Sequence, residues 1–223
     1  MTARRLFIAK RAGSLRSEDQ ERFAKLYAQG LKYTLLIMTP LILIVVLFAG
    51  NMLAIWVGND FAAKGTLVLQ PPVLGMLLEG VSVLPRILLD ASGRPDIRAK
   101  GLLALVIPFV ILLFVFTKQF GVNGTAASWL LKEGAEALVF LWVAHRVAPQ
   151  TVTAFRESDV WPTVLLATGS MVAASGVLLA FGDNLVAKTF ACLLLHTLFL
   201  AAAWKYVLDG AVKDYVFAVL RWG

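Results

Sequence analysis

Five ionisable residues are surrounded by apolar sequence: Glu79, Arg86, Lys132, Glu133 and Glu136. An ionisable group at membrane depth costs about 2.5–3.5 kcal/mol on insertion scales, so such groups face protein or water and mark pathways. Glu79 and Arg86 are two helical turns apart and share a face. Lys132 and Glu136 are four residues apart and also share one. Glu133 is expected to point about 100° away from Lys132, one helical step. Two readings follow. The charges line a hydrophilic cavity, or they neutralise one another locally, with Lys132 paired to Glu136 along its helix and Arg86 snorkelling to the surface.

Other reactive residue types are sparse. Cys192 stands alone, so an intramolecular disulfide is excluded, and with only His145 and His196 beside it a Cys/His zinc site has too few ligands. His196 reads as a packing residue, His145 as a solvated helix-end residue and Cys192 as a small apolar one. Ser128 has no convergent His and carboxylate for a triad. No phosphate-binding glycine loop and no HExxH pattern occurs. The Asn123-Gly124-Thr125 sequon falls in a turn too close to the bilayer for use. Neither an enzyme nor a cofactor is implied.

The elements that carry these residues follow from composition. Of 223 residues, 59% are hydrophobic and 16% charged, and the mean hydropathy is +0.78. Soluble domains are about 45–50% apolar and about 25% charged. Disorder and a soluble enzyme are therefore excluded, and the expected fold is an all-α polytopic membrane bundle. Six stretches approach the roughly 20 residues a spanning helix needs. They are Tyr33 to Trp56, Thr66 to Leu89, Leu102 to Phe116, Thr125 to Val147, Val160 to Phe181, and Leu185 to Val207. Turn residues separate them: Gly58-Asn59-Asp60, Ser92-Gly93-Arg94-Pro95, Gly121 with Asn123-Gly124, Pro149, and Gly182-Asp183-Asn184. Pro40, Pro71, Pro72, Pro85, Pro108 and Pro162 lie in or at the start of spans. The second span, with Pro71-Pro72, Gly75, Gly80 and Pro85, is expected to be the most irregular.

A net charge of +7 would suggest nucleic acid in a polar protein. Here basic cytoplasmic loops explain it better. Sixteen Lys and Arg fall on the side of the N-terminal segment, against Lys64, Lys118 and Lys188 opposite. Both termini are thus expected in the cytoplasm of a plasma (inner) membrane. Residues 1–32 read as a basic cytoplasmic arm and amphipathic helix, 33–208 as the membrane domain and 209–223 as an interfacial helix. Ser17 with Gln20 suggests a capping box starting the amphipathic helix, whose apolar stripe is Phe23, Leu26, Tyr27 and Leu31.

Short motifs add a resemblance. Leu88-Leu89-Asp90-Ala91-Ser92-Gly93-Arg94-Pro95-Asp96 resembles the "lqalGrpd" segment of polysaccharide-type flippases, in the multidrug/oligosaccharidyl-lipid/polysaccharide exporter superfamily. Phe120-Gly121-Val122-Asn123-Gly124-Thr125-Ala126-Ala127-Ser128-Trp129 is similar to that family's "yGvvGaAlAw" turn, and Lys132 falls where a basic residue often follows it. Upstream, Leu26-Tyr27, the run Tyr33 to Pro40, and Ile55-Trp56-Val57-Gly58 resemble a cytoplasmic helix, a Pro-bearing span and a "lWlG" ending. The resemblance covers residues 15–148.

It implies a lipid-linked oligosaccharide flippase working by alternating access between two helical lobes. This chain resembles the C-terminal part alone, which implies an N-terminal lobe on another chain, a homo-oligomer or a truncated product. By the same resemblance Glu79, Lys132, Glu133 and Glu136, with Arg86, face a central cavity. There a cation suits a pyrophosphate headgroup and a carboxylate a coupling proton. The expected partners are a lipid-linked sugar and membrane lipid. The rival reading is a non-transporting membrane scaffold or assembly subunit, in which the charges only pair helices.

Overall fold

A computed structural model describes residues 3–208 apart from Asp183, together with Lys213. Side chains are described from Glu21 onward, without those of Phe23, Ala91 and Gln150. The expected interfacial C-terminal helix lies outside these residues, except for Lys213. The described chain consists of α1 (Ala3–Val57), α2 (Asn59–Ala91), α3 (Pro95–Val147), α4 (Gln150–Glu157), α5 (Val160–Phe181) and α6 (Leu185–Ala202), the last running into a π-helical turn (Ala203–Val207). The protein is an all-α polytopic membrane bundle.

Five helices are long and apolar enough to cross a membrane. The third, α3, contains two of the expected spans. Its backbone reverses at Gly121, where φ is 60° and ψ −139°, a region open to glycine and strained for other residues. The two arms then run antiparallel. Thr117 Oγ1 lies 2.8 Å from Thr125 Oγ1, Phe109 packs edge-on against Trp129 at 6.4 Å, and Phe140 meets Gly101. A side chain at Gly124 would strike the Phe116 carbonyl, so the hairpin needs glycine on both sides of its bend. Each arm is long enough to span.

Three other expected boundaries lie at glycines with positive φ, Gly58 at 100°, Gly93 at 70° and Gly182 at 49°, and the fourth at Pro149, which precedes α4. Two expectations fail. Ser17 does not start a helix, because α1 is continuous from Ala3 through the first span. No proline separates the two segments, the single Gly30 between them is tolerated, and once a helix is formed adding each further residue is easy. The second span is not broken either. α2 runs through Pro71, Pro72 and Pro85, since neighbouring helices and local adjustment compensate for the missing donors in a membrane helix.

α1 is the central helix. The first arm of α3 is peripheral: no residue from 95 to 123 is buried, as suits a lipid-facing span. At the end carrying the basic loops, Ala24, Tyr27, Ala28, Leu31 and Leu35 of α1 pack with Leu88, Ala144, Phe155, Val160 and Ala167. The buried stripe is thus partly the expected one. Tyr27 and Leu31 lie in it, whereas Leu26 is 59% exposed and the side chain of Phe23 lies outside the described residues. Small residues, Ala24 and Ala28, take the remaining positions and let α4 approach. At mid-depth Leu43 and Leu47 pack with Ala174 and Cys192. α6 is pinned to α1 by two polar links: Lys188 Nζ donates to Asn51 Oδ1 at 2.9 Å, and His196 Nε2 lies 3.1 Å from the Pro40 carbonyl.

Candidate functional site: a charge network across two spans

Gly75 lies near the middle of α2 and faces the second arm of α3. A methyl group there would come within 3.3 Å of Glu133 Cγ and of Trp129 Cδ1. Glycine therefore lets the two helices close on each other, and the charged side chains of both occupy the seam.

All five candidate residues meet in that seam. Arg86 lies 3.3 Å from Glu136 Oε2 and 3.8 Å from Glu79 Oε1. Lys132 Nζ lies 2.9 Å from Glu136 Oε1 and 2.8 Å from Glu133 Oε1. The ion pairs form one chain, Glu79–Arg86–Glu136–Lys132–Glu133, linking α2 to the second arm of α3. Two rings flank the cations: Lys132 lies 4.8 Å from the centre of Trp129, and Arg86 lies 6.0 Å from that of Phe140. Such placements favour a cation over the ring face.

The expected shared face of Glu79 and Arg86 holds, as does the Lys132–Glu136 pair. Two details differ. Glu133 does not stand apart from Lys132, because the long lysine side chain bends back one residue to its carboxylate. Arg86 does not snorkel to the surface. Glu136 is within reach, and in a low dielectric a paired guanidinium is favoured over an unpaired one.

The two ends of the chain of charges differ in burial. The side chains of Glu133 and Glu136 are 1% and 5% exposed, whereas Glu79 is 51% exposed. Glu133 Oε2 is buried without a hydrogen-bond partner. With three carboxylates and two cations, the network carries a formal charge of −1. Lys132 also borders a pocket of about 180 Å³ between the two arms of α3, with Pro108, Phe109 and Leu131.

Other singled-out residues lie elsewhere. Ser128 donates to the Thr125 carbonyl and has no catalytic partners among the described residues. Cys192 is buried, one turn from His196. His145 is not simply solvated: its ring packs edge-on against Phe155 at 5.2 Å, and Phe155 stacks on Tyr27 at 5.3 Å. The residue reading missed Gly75, Trp129 and Phe140 as parts of the seam. Only the three-residue spacing of Trp129 and Lys132 hinted at it. It also missed α4, whose alternation of Val152, Ala154-Phe155 and polar residues is too short to stand out.

No family model and no solved structure matches the chain. Over 130 residues, 58% of its length, the chain is 26% identical to a protein of Shigella flexneri described as "Putative O-antigen transporter". The match covers 31% of that protein, so the matched part of the chain spans about a third of that relative's length.

Proposed function

We propose that this chain takes part in moving a lipid-linked oligosaccharide or polysaccharide precursor across the inner membrane, as one helical lobe of an alternating-access transporter. The single observation that carries the reading is the chain of charges from Glu79 to Glu133 between two apolar helices, half-exposed at one end and buried at the other. The likeness to the Shigella protein supplies the substrate class.

In this reading Arg86 and Lys132 are the groups for a diphosphate headgroup, because charge-assisted hydrogen bonds from such cations are strong and directional. Both already hold Glu136. A headgroup that takes Lys132 leaves the buried Glu133 carboxylate without its cation, which is strongly disfavoured. Proton uptake by a carboxylate relieves that cost and couples proton movement to substrate binding. Glu79, the most exposed member, is the first group a headgroup or proton meets. The basic ends of the helices, with Arg94, Arg98, Lys100, Arg146 and Arg156, face the cytoplasm, as do both termini.

The test is translocation of a lipid-linked oligosaccharide in proteoliposomes, with this chain alone and with a partner lobe. Glu79→Gln is the discriminating variant, since an exposed carboxylate contributes about 1 kcal/mol or less to stability. Loss of transport at normal levels of folded protein supports the pathway reading. A second reading has its own support, because all five charges find partners inside the chain. In it the protein is a membrane scaffold or assembly subunit, and the network only joins two spans. Folded wild-type chain that moves no substrate with the partner lobe present favours that reading.

A further inference from the structure

At the end of the bundle opposite the basic loops, an open-sided cleft of about 520 Å³ lies between α1, the start of α2 and the Gly121 bend. Its walls are Leu53, Phe61, Val68, Leu69, Pro72 and Val122, and its polar members are Lys64 and Asn123. Gly65 forms part of the wall; a methyl group there would crowd Phe61 and Leu53 at 3.1–3.2 Å. The volume falls in the usual range for small-ligand sites, about 300–1,000 Å³.

Depth and charge define the occupant. Trp56, 86% exposed at the end of α1, sits where aromatic belts mark the membrane interface. Lys64 is five residues into α2, about 8 Å along its axis, and the interfacial layer is about 5–8 Å thick on each side. A lysine stem of that reach places its ammonium at headgroup level. Lys64 is exposed and, among the described residues, pairs with no acid. Asp60, one turn away and also exposed, adds a negative charge nearby. A single cation, its field already reduced by Asp60, can match at most the one charge of a phosphodiester and is too weak a partner for a diphosphate.

We propose that this cleft binds an anionic phospholipid of the surrounding leaflet, with an acyl chain along Val68, Leu69 and Pro72 and the phosphate on Lys64. The proposal does not depend on whether the chain transports sugars.

Native mass spectrometry of the purified full-length chain tests it, with phosphatidylglycerol and phosphatidylcholine of identical acyl chains as probes. Wild type is expected to retain one phosphatidylglycerol in preference to phosphatidylcholine. Lys64→Gln is expected to weaken phosphatidylglycerol binding about fivefold, the usual contribution of one basic residue at a membrane surface, and to leave phosphatidylcholine unchanged. Val68→Trp, which fills the cleft, is expected to weaken both. Helical circular dichroism confirms that each variant is folded. Equal retention of the two lipids, or unchanged phosphatidylglycerol binding in Lys64→Gln, overturns the proposal. Displacement of phosphatidylglycerol by a long-chain prenyl diphosphate at lower concentration also overturns it, and assigns the cleft to a diphosphate-linked lipid.

Discussion

Lys132 stands between two carboxylates that have almost no access to solvent. Removing it leaves Glu133 without its cation and Glu136 with Arg86 alone, and Glu133 Oε2 already lacks a partner. Breaking a buried pair by deleting one member costs about 3–5 kcal/mol. Lys132→Met is therefore expected to lower the unfolding temperature in detergent sharply. Adding Glu133→Gln should restore much of the loss, because a neutral amide needs no counter-charge. If the double variant is as unstable as the single one, the stability of the seam rests on packing by the lysine stem rather than on charge. Charge types and helical spacing were enough to nominate all five residues. The Lys132–Glu133 contact was not legible, since adjacent helical positions point apart and only a flexible side chain closes the gap.

α4 shows how a short element acquires its role from what it packs against. Eight residues form no stable helix in isolation. Docked on α1, its Ala154 and Phe155 are buried, and Lys25 lies 3.4 Å from Glu157 at the edge. Phe155 also links Tyr27 to His145, so α4 ties the first span to the end of the fourth. Replacing a buried Phe by Ala typically costs about 3–5 kcal/mol. Phe155→Ala should speed amide exchange across residues 150–157 by orders of magnitude while leaving the middle of α2 protected. Equal acceleration throughout the bundle would show instead that α4 and the spans open as one unit. The α3 hairpin carries a similar lesson. Its bend at Gly121 and Gly124 was marked by turn residues, but the reversal depends on backbone geometry that only glycine adopts there.

Across the whole molecule, alternation of antiparallel helices gathers Arg94, Arg98, Lys100, Arg146 and Arg156 at one end and leaves Lys64, Lys118 and Lys188 toward the other. With Cys192 replaced by Ser, Lys118→Cys should react with a membrane-impermeant maleimide in intact cells, and Lys100→Cys only after lysis. The reverse pattern would invert the proposed orientation. The sequence alone determined the all-helical, lipid-suited character of the chain, most of its turns and the charges of the α2–α3 seam, but not that Lys32 and Lys188 are buried too. Hydropathy, glycine and proline, and the cost of desolvating an ion are properties of residues and their near neighbours. Tertiary structure decided the rest: that Gly75 brings α2 against α3, that five charges make one network, that α1 is unbroken, and that Lys64 overlooks an apolar cleft. Those outcomes depend on which helix faces come within a few ångströms of each other, and contacts between residues distant in the chain leave no local periodic signal.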